Sequence, residues 1–218
     1  MKTTEITIPI NNSIDLKGNL NIPEEPNSLV IFSHGSGSSR FSSRNQHVAG
    51  VLNKNNIATL LTDLLTERED SIYQNRFNID LLTERLVSVT NYVTQFSDLK
   101  NLTTGYFGAS TGAASALRAA ARLKGFIGAV VSRGGRPDLA GASLPDVKAP
   151  TLLIIGSLDT DVITLNEQAY SKLKGEKEIK IIKGAAHLFE EPGKLDEVAE
   201  LALNWFKKYL VLNPIVSQ

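Results

Sequence analysis

Thr103-Thr-Gly-Tyr-Phe-Gly-Ala-Ser-Thr-Gly-Ala-Ala-Ser-Ala-Leu117 is the stretch whose reading decides the fold. At its centre, Gly108-Ala109-Ser110-Thr111-Gly112 is a complete G-x-S-x-G. Tyr106 and Phe107 read as the end of a strand. The run 113–122 is rich in Ala and Leu, which form helices readily. The motif therefore falls at a strand-to-helix junction, the setting of a nucleophile elbow. Such a turn is tight and strained. A Cβ at either glycine would clash with the crowding strand and helix, while Ser110 is pushed up with its hydroxyl exposed. The bland reading is a Gly/Ser turn that merely opens a helix, so the partners of Ser110 have to decide.

Upstream, Ile6, Ile8 and Ile10 alternate with polar residues, and Ile14, Leu16, Leu20 and Ile22 continue the alternation after Asn11-Asn12-Ser13. Both read as half-exposed strands of an antiparallel hairpin. Leu29-Val30-Ile31-Phe32 is continuously apolar, as a strand buried on both faces should be. From there apolar strands alternate with helical stretches, which predicts parallel βαβ units. Residues 44–53 read as a helix and 57–61 as a strand. Residues 64–78 are polar and irregular, either one wall of a substrate pocket or a solvated loop. Residues 79–96 form an amphipathic helix on Leu82, Leu86, Val89 and Val93.

Downstream, strands are predicted at 126–131, 151–155 and 179–182, and helices at 163–173 and 198–209. Residues 211–218 read as an irregular tail with apolar residues that would pack on this domain or on a neighbour. The expected architecture is one α/β domain over 1–218: a mostly parallel sheet of about eight strands flanked by helices.

Composition narrows the function classes. Lys plus Arg balance Asp plus Glu at 23 each, so no basic excess points to nucleic acid. There is no cysteine, which excludes disulfides, a thiolate nucleophile and thiolate metal sites. No apolar run approaches the roughly 20 residues of a membrane span, and the N-terminus carries no signal-peptide core. A cytoplasmic protein acting on a small molecule is expected. No metal-binding HExxH or dinucleotide fingerprint is found, so no cofactor is expected.

A serine hydroxyl needs an adjacent base to act as a nucleophile. Of the three histidines, His34 lies in a Gly-rich loop and His47 on a predicted helix. His187, in the loop after the last strand, is the candidate base. A carboxylate must hold its tautomer. Asp159, in the loop after the preceding strand, is favoured over Asp161. The order Ser110, Asp159, His187 is that of α/β-hydrolases, with each residue at a predicted carboxyl end of a strand. His34-Gly35-Ser36-Gly37 reads as an oxyanion loop, with the N–H groups of Ser36 and Thr111 as the two donors. It lacks the spacings of a phosphate-cradling loop. In Ser132-Arg-Gly-Gly-Arg-Pro-Asp138, Arg133 and Arg136 are candidates to hold an anionic part of the substrate. Surface ion pairing is their ordinary alternative.

His34-Gly-Ser-Gly-Ser-Ser-Arg40, Phe107-Gly-Ala-Ser-Thr-Gly112, the arginine loop and Ala186-His-Leu-Phe-Glu-Glu-Pro192 together resemble the α/β-hydrolase superfamily. Within it they are similar to dienelactone hydrolase-like proteins of a subgroup that also occurs fused to phosphoribosyltransferase domains. The resemblance implies a compact hydrolase, a single α/β-hydrolase domain over 1–218 with little or no cap. Dienelactone hydrolase itself uses cysteine where this chain has Ser110, a departure that favours general carboxylesterase chemistry over dienelactone as the substrate. Two other expectations stay open: a non-catalytic binding module, and an acyltransferase using the same triad.

Overall fold

The computed structural model describes residues 1–210, so the tail expected at 211–218 lies outside the described residues. Sixteen segments follow one another in the chain. The strands are β1 (Lys2–Asn11), β2 (Ile14–Ile22), β3 (Ser28–Ser33), β4 (Ile57–Thr62), β5 (Thr103–Ala109), β6 (Ile127–Arg133), β7 (Thr151–Gly156) and β8 (Lys177–Ile182). The helices are α1 (Ser43–Asn53), α2 (Glu67–Asp70), α3 (Ile79–Val93), α4 (Thr111–Arg122), α5 (Thr160–Lys172) and α6 (Lys194–Tyr209), and two 3₁₀ segments lie at Tyr73–Phe77 and Pro137–Asp146.

All eight strands join in one sheet, in the order β1-β2-β4-β3-β5-β6-β7-β8. The β1–β2 hairpin is antiparallel and β2 pairs antiparallel with β4; every other pairing is parallel. Exposure explains the division. The strands β3, β4 and β7 are buried at every position, whereas β1 alternates and is mostly exposed at the sheet edge.

Two apolar layers sandwich the sheet. On one face α1 and α6 pack Val48, Leu52, Val198, Ala202 and Phe206 against Phe32, Phe107 and Val131. On the other, α3 and α4 pack Leu82, Leu86, Val89, Ala116 and Leu117 against Ile31, Leu60, Tyr106 and Val130. Strand order reverses at β3, whose neighbours are β4 on one side and β5 on the other. The loops leaving β3 and β5 therefore diverge and leave a crevice at the carboxyl edge of the sheet, where ligands bind in such folds.

Several segments differ from the sequence reading: α3 ends at Val93 rather than at 96, and α5 begins at Thr160 rather than at 163. Residues 64–78 are ordered by polar contacts rather than by a hydrophobic stripe. Thr66 and Glu69 form a reciprocal capping box, Arg85 pairs with Glu69 at 2.6 Å, and Arg76 pairs with Asp70 at 2.8 Å. Helix α6 begins at Lys194 because its first turn is polar, with Asp196 and Glu197 favoured at the positive end of the helix dipole. Strand β6 runs through Arg133, placing that residue on the sheet instead of in the loop.

Candidate active site

The elbow is built by sterics. Ser110 sits between β5 and α4 at φ 50° and ψ −123°, a conformation few non-glycine residues adopt. A Cβ on Gly112 would stand 2.1 Å from the Ser33 carbonyl oxygen, and one on Gly108 would stand 2.5 Å from the Ala113 Cα. Hydrogen bonds on both sides secure the turn. The Ser110 N–H donates to the Arg133 carbonyl at 3.3 Å, and the Arg136 N–H donates to the Ser110 carbonyl at 3.0 Å.

His187 and Asp159 come together from neighbouring loops. His187 Nδ1 lies 2.6 Å from Asp159 Oδ2. A carboxylate only accepts, so Nδ1–H donates and Nε2 is left as the basic nitrogen. Asp159 is the N-cap residue of α5, yet its side chain caps no helix N–H. Its carboxylate is given to the imidazole instead of to the helix, against the usual use of Asp at this position. Asp161 is exposed in the first turn of the same helix and does not reach His187. The two loops are laced together: Leu158 N–H donates to the Ala185 carbonyl at 3.0 Å, and Gly184 N–H to Ser157 Oγ at 2.8 Å. Gly134, at φ 50°, lies under the imidazole; a Cβ there would stand 2.9 Å from the His187 carbonyl oxygen and 3.6 Å from its Cε1. Ser110 and His187 thus flank the same loop after β6, and among the described residues no hydrogen bond joins Ser110 Oγ to the imidazole.

The loop after β3 leans on Ser110. A Cβ on Gly35 would stand 2.9 Å from Ser110 Cβ and 3.7 Å from its Oγ. His34 anchors this loop from below. Its Nδ1 lies 2.9 Å from the Gly35 carbonyl, and its Nε2 accepts the Leu64 N–H at 3.1 Å. Both partners demand the neutral Nδ1–H tautomer. Burial lowers the His34 pKa, against the opposing pull of the Gly35 hydrogen bond and of Asp63 and Asp70. The Ser36 N–H donates to Thr111 Oγ1 at 2.9 Å, so the expected oxyanion donor already has a partner in the free protein. His47, on α1, is engaged with Asp196 at 2.8 Å on the surface.

The two arginines of the loop after β6 differ. Arg136 is held by Asp138 through two bonds of 2.9 Å, which also raise its pKa. Arg133 is buried, and its Nη2 reaches only Asn45 Oδ1 at 3.3 Å, while its Nε has no partner. Burial, then the charge of Arg44, lowers the Arg133 pKa to about 10. Beside the oxyanion loop a cleft of about 690 Å³ opens between His34, Arg40, Phe41, Asp63, Leu65 and Arg68.

Comparison with known proteins agrees with this fold. Residues 46–210 match the model of the dienelactone hydrolase family. The chain belongs to that family. A dienelactone hydrolase from Anabaena variabilis is 51% identical, with a TM-score of 0.92 over 96% of this chain and 98% of that one. An esterase of Pyrococcus furiosus shares the fold at 19% identity, with a TM-score of 0.79 over 96% of this chain and 92% of that one. A Mycobacterium tuberculosis protein whose name assigns it provisionally to the phosphoribosyl transferases is 51% identical over 197 residues, covering 90% of this chain but 44% of its own length. This member of the dienelactone hydrolase family therefore spans less than half of the curated relatives it matches. Among the described residues no helix is long and apolar enough to cross a membrane.

What the sequence reading missed is side-chain work between distant loops. The anchoring of His34 between Gly35 and Leu64, and the Thr111 hydroxyl on Ser36, join residues 30 and 75 positions apart. Neither had a local signal beyond the motifs themselves.

Proposed function

We propose that this chain is a serine hydrolase that cleaves carboxylic esters or lactones through an acyl-enzyme. The observation that carries the proposal is the 2.6 Å hydrogen bond from His187 to a helix-capping Asp159 that caps nothing. In this reading Ser110 Oγ attacks the carbonyl carbon while His187 Nε2 takes its proton. Asp159 stabilises the resulting imidazolium. The negative charge gathers on the former carbonyl oxygen, which the Thr111 N–H receives, with the Ser36 N–H, bound to the Thr111 hydroxyl, as the second donor of the hole. Collapse expels the alkoxide, protonated by His187. Water then attacks the acyl-enzyme with His187 again as base, and the acid departs. The substrate body extends from Ser110 along the cleft beside the oxyanion loop. Arg133, which forms no ion pair among the described residues, supports a preference for an anionic substrate. A cytoplasmic setting and a single-domain unit over 1–218 complete the proposal. Phosphoribosyl transfer is assigned to the part of the mycobacterial relatives outside the matched segment.

Covalent labelling with a fluorophosphonate, read by intact mass beside turnover of short p-nitrophenyl esters, tests the reading. One adduct in the wild type and none in Ser110→Ala, with parallel loss of turnover, is expected. No adduct in folded wild type refutes it and favours a non-catalytic binding module. Turnover that requires an added alcohol or amine identifies a transferase.

A further inference from the structure

We infer that the side-chain hydroxyl of Thr111 is itself an oxyanion donor, relaying the Ser36 N–H onto the substrate oxygen. This rests on the serine-hydrolase reading above and deepens it.

A threonine hydroxyl has one proton to give and two lone pairs to receive. Thr111 Oγ1 receives the Ser36 N–H at 2.9 Å, while its own proton has no acceptor among the described residues. Thr111 is almost fully buried, at 4% exposure, so water does not readily supply one. A buried donor left unused is costly, and a specific one calls for a missing partner. The position names that partner. Thr111 follows Ser110 directly, and Ser36 belongs to the loop that touches the nucleophile, with a Gly35 Cβ falling 3.7 Å from Ser110 Oγ. An oxygen drawn to the Thr111 N–H comes to the same residue that carries the hydroxyl. The Ser36 N–H polarises the hydroxyl it donates to, and so strengthens the O–H as a donor. In this proposal the unused end of the two-link chain, Ser36 N–H to Thr111 O–H, meets the oxygen on which negative charge develops. No proton moves in this step; the hydroxyl only turns toward the oxyanion.

Thr111→Val keeps the branched shape and removes the O–H, and Thr111→Ser restores it. Each is compared with wild type on a matched pair of p-nitrophenyl oxo and thiono esters. Sulfur accepts hydrogen bonds weakly, so a lost donor slows the oxo ester selectively, whereas a merely displaced loop slows both. We expect kcat on the oxo ester to fall about 100-fold in Thr111→Val, the scale of one oxyanion donor. KM should stay within about twofold, the oxo-to-thiono rate ratio should fall, and Thr111→Ser should recover most of the loss. Thr111→Ala serves if the valine variant does not fold. An unchanged ratio, whether both esters slow equally or neither slows, overturns the inference while leaving the hydrolase reading intact. Wild type that turns over neither ester and takes no fluorophosphonate overturns both.

Discussion

Gly112→Ala and Gly50→Ala make the same chemical change, yet the structure predicts opposite signs. Gly50 lies within α1, and nothing stands within 4 Å of the Cβ it lacks. Alanine there reduces the freedom of the unfolded chain and should stabilise by about 0.5–1 kcal/mol. At Gly112 the added carbon would meet two backbone oxygens, Ser33 at 2.1 Å and His34 at 2.5 Å. An ordinary carbon–oxygen contact is about 3.3 Å, so α4 and the oxyanion loop must separate by about 1 Å. Overpacking of this kind costs roughly 1–3 kcal/mol. It also moves Ser110 against its expected donors, and a displacement of that size costs about 100-fold in rate. The single tryptophan, Trp205, is buried against the sheet and reports unfolding in urea. The fluorophosphonate labelling rate reports the elbow. The reasoning fails if Gly112→Ala melts within about 0.5 kcal/mol of wild type and is labelled at the wild-type rate.

Asp159→Asn should lower kcat by about 10⁴, because the wrong imidazole tautomer is held, while Asp161→Asn should leave it within about twofold; equal effects of the two, measured on one ester, would reverse the assignment. Burial keeps His34 neutral, with its folded pKa below the ordinary 6.5. The folded state then binds fewer protons than the unfolded one, so the His34 contribution is present above pH 6.5 and is lost as pH falls from there through the folded value, at up to about 1.4 kcal/mol per pH unit. Urea midpoints across this range should show a shallower acid loss in His34→Gln, and identical slopes would count against it. Arg133→Met should raise stability by about 1 kcal/mol or more by removing a buried charge that lacks an ion pair. It should also raise KM for an anionic ester relative to a neutral one; an anionic-to-neutral KM ratio unchanged from wild type would remove Arg133 from substrate recognition.

The sequence by itself determined the sheet and the order of the chemistry. Continuous apolar runs such as Leu29-Val30-Ile31-Phe32 report burial on two faces, and the alternation of Ile6, Ile8 and Ile10 reports burial on one. Those signals are local, so β1 to β8 were legible within a few residues. The placing of Ser110, Asp159 and His187 after β5, β7 and β8 followed from counting strands and loops. The long segment 64–78 was illegible for the opposite reason: capping and ion pairs from Thr66, Glu69, Asp70, Arg76 and Arg85 order it, and these carry no periodicity. The sequence favoured Asp159 over Asp161 by its nearness to the strand end, and the tertiary structure shows the bond itself, from Asp159 to His187 at 2.6 Å. It alone showed Arg133 buried rather than open in a loop, because strand register carries the side chain beneath α1. It alone joined Ser36 to the Thr111 hydroxyl. A hydrogen bond between residues 75 apart exists only once the crevice between β3 and β5 has closed around it.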